Sequence, residues 1–474
     1  VFRRRAVALL SVLAAAVAAG GCEAGPTASP PTSPRNLVIL SIDTLRPDHL
    51  GLYGYQRPTS PTLDRLANEA VVFDQATTVH VTTAPAHATI LTGRYPGSHG
   101  LVRNGMGLAS GIPTLAEHLA ARGWATGAFV SGWTLQRHTN LDRGFEVYDD
   151  DLGPPRAGAR RDGRATTDTA LGWLGDQVAS NRRFFLLVHL FEPHWPYDPP
   201  DELALRFLPG RYELTTRSRP VHIDRRLRVN RLSPAEREEY VARYDGEIVV
   251  ADRLAARLLD ALDDLDVGHD TVVIVLSDHG ETLFEREWSM DHGARPYDEQ
   301  ALVPLILRIP GRAGGLRITE PVSLLDVFPT VMSILDLPPP AGLQGRSLLP
   351  LVESPGAAAS PRPDFITARP EPDRVSHIRA PLSAGGLVCA IRLPGIKLIE
   401  YPLASGLWHH ELFDLTRDPG ETTDIAVDAP ESVAALHGEL GRWRSSTRID
   451  ADLPIPDLDP QVEEALRELG YIEN

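Results

Sequence analysis

Two stretches of this 474-residue chain read as strands sealed from water on both faces, and each ends in an acid. Asn36–Asp43 (NLVILSID) is apolar almost throughout, and Thr271–Asp278 (TVVIVLSD) repeats the pattern. A strand with one wet face alternates polar and apolar side chains. Near-continuous β-branched runs suit a strand covered by helices on both sides. A third run, Phe184–His189 (FFLLVH), has the same character, and helical periodicity appears at 113–122 and most strongly at 240–264. Strands alternating with helices predict an α/β fold, a large central, mostly parallel sheet between helices. Ligands of such sheets bind outside the carboxyl ends of the strands, where both Asp43 and Asp278 fall.

Length alone, at about 150 residues per domain, allows three domains. One large α/β domain with an appendage fits equally well. The reading places a catalytic domain at 36–351, a linker at 352–364 (VESPGAAASPRPD) and a small C-terminal α+β subdomain at 365–474. Within the last, Leu387–Tyr401 and His410–Leu415 read as short strands and 430–445 as a helix.

The first 22 residues read as a signal peptide: Arg3–Arg5, then 14 apolar residues from Ala6 to Ala19, then Ala19-Gly20-Gly21-Cys22. The apolar run is too short to span a bilayer comfortably. Small residues before a cysteine resemble a bacterial lipoprotein signal, with Cys22 lipidated. An ordinary secretion signal with a chance cysteine is the alternative. Residues 23–35 (EAGPTASPPTSPR) have the composition of a flexible tether. The expectation is an exported lipoprotein on the periplasmic or cell-surface side, attached to the membrane by its lipid anchor only. No later run of 18 apolar residues occurs.

Composition narrows the partners. A net charge of −16 argues against nucleic acid or an anionic membrane surface as the main partner. Two cysteines, Cys22 and Cys389, cannot build a disulfide framework, a four-cysteine zinc site or an iron–sulfur cluster. Lys397 is the only lysine beside 46 arginines, a skew that reads as genome composition rather than as a site.

Chemistry collects at three places. An aspartate closing a buried strand is costly unless paired or bound to a metal, and Asp43 is one; capping the next helix is the alternative. Asp278-His279 leaves the second strand, where both side chains can reach one cation; a tight turn with an aspartate cap is the plainer reading. The third place is Thr82–Arg94 (TTAPAHATILTGR), where Thr83 fits an N-cap, Pro85 the first turn and Gly93 the end of a helix. A helix N-terminus favours an anion, and a hydroxyl held there beside a cation can serve as a nucleophile.

Together these segments resemble the sulfatase family of the alkaline phosphatase superfamily. Thr83-Ala-Pro85-Ala-His87, then Leu91-Thr92-Gly93-Arg94 and His99-Gly100, follow the family pattern of Cys or Ser, any residue, Pro, any residue, Arg, then Leu-Thr-Gly. Phe191-Glu-Pro-His194, Ser277-Asp278-His279-Gly280-Glu281, His292-Gly293, Ser323–Thr330, Gly342–Leu348 and Glu411–Glu421 match further segments, so the similarity spans about residues 36–445. The resemblance implies one divalent cation held by Asp43, Asp278, His279 and the Thr83 oxygen. Calcium is the first expectation, with magnesium, manganese or zinc open. It also implies that His87, His194 and His292 hold the remaining ester oxygens and protonate the leaving group. His99 and His189 read as structural, His189 as half-buried.

Three departures stand out. Thr83 replaces the residue that the family converts to formylglycine, and its Cβ methyl forbids an aldehyde. His87 replaces the arginine, and Thr44 stands where many relatives carry another metal aspartate. Three functions follow: a sulfate-ester hydrolase with a threonine nucleophile, a phosphoester hydrolase or phosphotransferase on the same scaffold, or a non-catalytic anion- or glycan-binding protein. The expected partner is a small-molecule or glycan sulfate or phosphate ester, and no nucleic acid.

Overall fold

Every residue of β1 (Asn36–Ile42) is buried, and its side chains divide between two cores. Leu37 and Ile39 join one hydrophobic cluster, while Val38, Leu40 and Ile42 join the other. This explains the apolar run: both faces of the strand are covered. The first core adds Ala84, Ala88, Ile90 and Leu91 of the helix Thr83–Thr92, with Phe328 and Val331 of the helix Val327–Ile334. The second adds Ala170 and Leu174 of the helix Gly163–Ala179, with Tyr244, Ile248 and Leu254 of the long helix Pro234–Asp264.

The computed structural model describes residues 34–153, 160–211, 213–214, 232–286, 290–356, 362–369, 378, 381–383 and 386–448. The expected signal peptide, Cys22 and the tether to residue 33 lie outside the described residues. So do 154–159, 212 and 215–231, 357–361 of the expected linker, and 449–474.

The remaining strands are β2 (Val71–Thr77), β3 (Ala125–Val130), β4 (Val147–Asp149), β5 (Phe184–Leu190), β6 (Thr271–Leu276), β7 (Thr282–Leu283), β8 (Met290–Asp291), β9 (Leu302–Arg308), β10 (Leu316–Ile318), β11 (Val322–Ser323), β12 (Asp364–Ala368), β13 (Val388–Leu393), β14 (Ile396–Pro402) and β15 (Trp408–Asp414). Among the described residues the central sheet runs β10-β2-β9-β6-β1-β5-β3-β4, with β11 also on β2. It is mostly parallel, as the sequence predicts. The exception is β9, antiparallel to both β2 and β6. β1 pairs in parallel with β5 and β6, with Ser41 opposite His189 and Leu276. Asp43, His189 and Asp278 therefore emerge at one sheet edge.

The long helix starts six residues before its periodicity, at Pro234. Ser233 accepts from the Glu236 N–H and Glu236 caps the Ser233 N–H. Its first turn (PAERE) carries no apolar stripe, so only the capping residues mark it.

β12 to β15 form an antiparallel four-stranded sheet. One face, through Cys389, Ile391, Leu398 and Leu412, shares the first core with Leu436, Leu440 and Trp443 of the helix Pro430–Thr447. The other face packs with Val81 and Tyr297. Thr367 of β12 donates its N–H to the Val79 carbonyl at 2.9 Å and accepts from the Val81 N–H at 3.2 Å. The described residues all belong to one compact unit, Ser33–Asn474, which spans the sequence boundary near 352–364. Part of that stretch is structured, with a helix at Leu349–Glu353 and β12 beginning at Asp364. Among the described residues, no helix is long and apolar enough to cross a membrane.

Candidate active site

Thr83 is the first residue of its helix, not the cap. The N-cap is Thr82, which makes no side-chain capping bond. The Ala84 N–H is instead met by Asn104 Oδ1 at 2.9 Å. The Thr83 hydroxyl is thus released from capping and lies 3.4 Å from His279 Nε2. Gly93 ends the helix at φ 62°, the left-handed conformation that favours glycine.

His279 Nδ1 lies 2.9 Å from the Gly280 carbonyl. A carbonyl only accepts, so Nδ1 carries the proton and Nε2 keeps its lone pair. That lone pair faces two carboxylates, Asp278 Oδ2 at 3.5 Å and Asp43 Oδ1 at 3.8 Å. Asp43, Asp278 and His279 are fully buried, with one ligand atom from each within 4.8 Å of the others. Asp278 Oδ1 accepts from the His279 N–H at 2.9 Å, but Asp278 Oδ2 and both oxygens of Asp43 have no hydrogen-bond partner.

Burial and the charge of Asp278 push the Asp43 carboxyl well above its ordinary range. Burial opposes ionisation of Asp278 too, yet His279, His87 and His189 hold it below. Unpaired buried polar atoms cost about 1–3 kcal/mol each, more when charged. Two carboxylates and an imidazole lone pair converging in a dry site fit a divalent cation, and the orphaned oxygens supply the reason for one.

The loop after β1 is held from several sides. The Tyr244 hydroxyl donates to the Thr44 carbonyl at 2.7 Å and accepts from the Arg46 N–H at 3.0 Å. Ser277 Oγ accepts from the Leu45 N–H at 2.9 Å. Thr44 itself has φ 53°, unusual for a β-branched residue.

The histidines separate into different environments. His87 is buried with both ring nitrogens engaged: Nδ1 donates to the Thr83 carbonyl at 2.8 Å, and Nε2 accepts from the Ser41 hydroxyl at 3.0 Å. Burial drives its pKa down to about 4, so the ring is neutral at pH 7. His194 and His292 face each other with ring centroids 4.9 Å apart, and His292 sits 4.7 Å from His279. His292 Nδ1 lies 3.1 Å from Glu281 Oε1, which orients the ring. His194 packs on Phe191 at 4.3 Å with its Nδ1 on the Trp195 carbonyl, and burial with His292 nearby pushes its pKa well below the ordinary value.

His189 departs from its half-buried expectation. It is fully buried, its ring nitrogens lack hydrogen-bond partners, and Nε2 lies 3.5 Å from Asp43 Oδ2. Sequence reasoning also missed the parts of Ser41, Asn104, Glu281 and Tyr244. Glu281 follows the Asp278-His279 pair closely enough to be suspected. Asn104 and Tyr244 reach the site only through tertiary packing.

A carboxylate–imidazole cage at the carboxyl edge of a doubly covered α/β sheet, beside a hydroxyl on a helix N-terminus, defines a hydrolase of the alkaline-phosphatase-like superfamily. The chain belongs to the sulfatase family, which matches residues 35–337. The ulvan-active sulfatase of Formosa agariphila is 27% identical over 354 residues, 69% of this chain and 67% of that protein. Among solved structures, the phosphonate monoester hydrolase of Agrobacterium radiobacter superposes with a TM-score of 0.69 at 22% identity, covering 88% of this chain and 96% of that one. A protein solved in complex with its substrate D-glucosamine-2-N,6-O-disulfate gives a TM-score of 0.72 at 19% identity, covering 90% of this chain and 100% of that one. The two solved structures establish the shared fold.

Proposed function

We propose that this protein is a metal-dependent hydrolase of sulfate esters that uses Thr83 as its nucleophile. The observation that carries the reading is the uncapped Thr83 hydroxyl, 3.4 Å from His279 Nε2. Family membership and the ulvan-active relative supply the ester class. Asp43, Asp278, His279 and the Thr83 oxygen would hold the cation. Their oxygens suit calcium or magnesium, and the imidazole admits manganese or zinc. A bound cation lowers the pKa of a nearby hydroxyl and polarises an ester oxygen.

Thr83 Oγ bonds to sulfur, the bridging S–O bond breaks, and its electron pair leaves on the alcohol oxygen. The proton lost by Thr83 balances the one gained by that alcohol. His194 and His292 supply the relay at the leaving-group side, with Glu281 orienting His292. Water then bonds to sulfur, the Oγ–S bond breaks, hydrogen sulfate leaves and the threonine oxygen regains a proton from that water. His87 acts as a positioning residue, because its hydrogen bonds join Ser41 of β1 to the Thr83 turn. A single hydroxyl also suits phosphoryl transfer, so the phosphoester reading stands second, supported by the fold shared with a phosphonate monoester hydrolase.

Matched aryl sulfate and aryl phosphate esters test the choice. Faster sulfate turnover is expected, and turnover of phosphate diesters alone overturns it. Thr83→Ala abolishes turnover and leaves the thermal midpoint near wild type. A sulfated Thr83 in the intact mass after rapid quenching identifies the intermediate, whereas undiminished activity of Thr83→Ala refutes the nucleophile. Export as a lipoprotein belongs to the same proposal. Fatty-acid labelling of the full precursor should disappear in Cys22→Ser.

A further inference from the structure

The C-terminal subdomain carries a second gathering of metal-type side chains, built without any residue of the Thr83 site. Glu400 of β14 stands directly opposite His410 of β15 in the antiparallel register. His437 reaches the same point from the helix Pro430–Thr447, with its Nδ1 2.7 Å from Glu400 Oε1. His410 Nε2 lies 3.3 Å from that same oxygen. One ligand atom from each of the three lies within 4.8 Å of the others. His410 Nε2 is closed off from solvent without a hydrogen bond of acceptable geometry.

The other carboxylate oxygen is fixed. Arg444 Nη1 donates to Glu400 Oε2, and its guanidinium lies over the Trp408 ring at 4.1 Å. The carboxylate is thus oriented, with one oxygen on Arg444 and the other turned to two imidazoles. The His410 and His437 side chains keep 24% and 39% of their exposure, which leaves a route for an ion and water.

We propose that Glu400, His410 and His437 form a zinc-binding site. Two imidazoles and one carboxylate are a zinc donor set, with the fourth position open to water. Calcium needs six or more oxygens, which this cluster does not offer. Ligand atoms on tetrahedral zinc, each about 2.0–2.1 Å from the metal, lie roughly 3.3 Å apart. The His410–Glu400 pair already has that separation, and His437 opens by about half an ångström. Arg444 is the outer partner that orients the carboxylate. Its positive charge offsets the ligand charge, so the site is weaker than a cage of thiolates. The bound ion ties β14, β15 and the last described helix together.

Zinc chloride is the probe, added to the full chain after chelator treatment. Asp278→Asn removes the competing site near Thr83. In that background, elemental analysis should find about one zinc per chain, falling to background when His410→Gln and His437→Gln are added. In the wild-type background the same double change removes about one zinc per chain and leaves ester hydrolysis unchanged. Cobalt(II) substitution should give the visible bands of a four-coordinate ion, lost in the double variant. Equal zinc content with and without the two histidines overturns the proposal. So does the absence of zinc from both backgrounds, which would leave the cluster as a hydrogen-bonded one. If Asp278→Asn does not fold, the zinc difference in the wild-type background decides the matter alone.

Discussion

Asp43 is the residue whose cost most needs repayment: it is fully buried, its oxygens are unpaired, and Asp278 stands nearby. A cation removes that cost, so metal binding and stability are linked. At 100 times its dissociation constant a ligand stabilises the folded state by about 2.7 kcal/mol. Wild-type protein should gain that amount in denaturant titrations when calcium, which the Glu400 cluster does not suit, is restored. Asp278→Asn should gain little and lose its activity. A second residue-scale effect concerns Glu247, whose Oε1 accepts the Asp198 N–H at 2.7 Å. Burial, then the charge of Glu192, pushes its pKa from 4.5 to about 8. The folded carboxyl keeps its proton across that window while the unfolded one loses it, so stability falls as pH rises from 4.5 to about 8. The slope approaches 1.4 kcal/mol per pH unit, about the value for one proton. Glu247→Gln keeps the acceptor and should flatten the profile, read as denaturation midpoints across that range.

At the scale of elements, strands place the cage residues and a helix holds them still. β1 and β6 are adjacent and parallel, so their terminal acids share an edge. The long helix then clamps the loop after Asp43 through the Tyr244 hydroxyl. Tyr244→Phe leaves the Thr44 carbonyl and Arg46 N–H without that partner. The expected loss is about 1–3 kcal/mol in chemical denaturation, with a lower metal affinity measured alongside. The helix's role was invisible in its sequence, where Tyr244 reads as one more apolar position. The Thr83 helix shows the converse. Its span was legible from Pro85 and Gly93, but that Thr82 rather than Thr83 is the cap shows only in the extended backbone at Thr82.

Across the whole molecule, the C-terminal sheet supports the active-site sheet rather than trailing behind it. β12 binds the strand-like segment before Thr83, and the Arg369 N–H donates to the Gly293 carbonyl at 3.0 Å, next to His292. Lys397, which composition marks only as the single lysine, anchors this junction. It is fully buried, 2.7 Å from Asp298 and 2.8 Å from Glu421. Asp298 accepts from Arg392 as well, and the Asp298 N–H donates to Glu421. Breaking a buried ion pair on one side typically costs about 3–5 kcal/mol. Lys397→Met should lose that much in equilibrium unfolding, with activity falling as the His292 loop loosens.

The sequence by itself determined the sheet class, the edge at which Asp43 and Asp278 gather, and the family. Each depends on a local pattern: apolar runs that end in acids, a Pro and a Gly bracketing one helix, an Asp-His pair on a turn. It also marked the residues of the cage, because polar groups that interrupt buried runs have few plain explanations. Only the tertiary structure determined that His87 has both nitrogens engaged, that His189 faces Asp43, and that Lys397 of the C-terminal sheet pairs with Asp298 beside β9. Those facts depend on side chains that meet from distant segments. Contacts between distant segments leave no period, cap or turn signal in the chain that makes them.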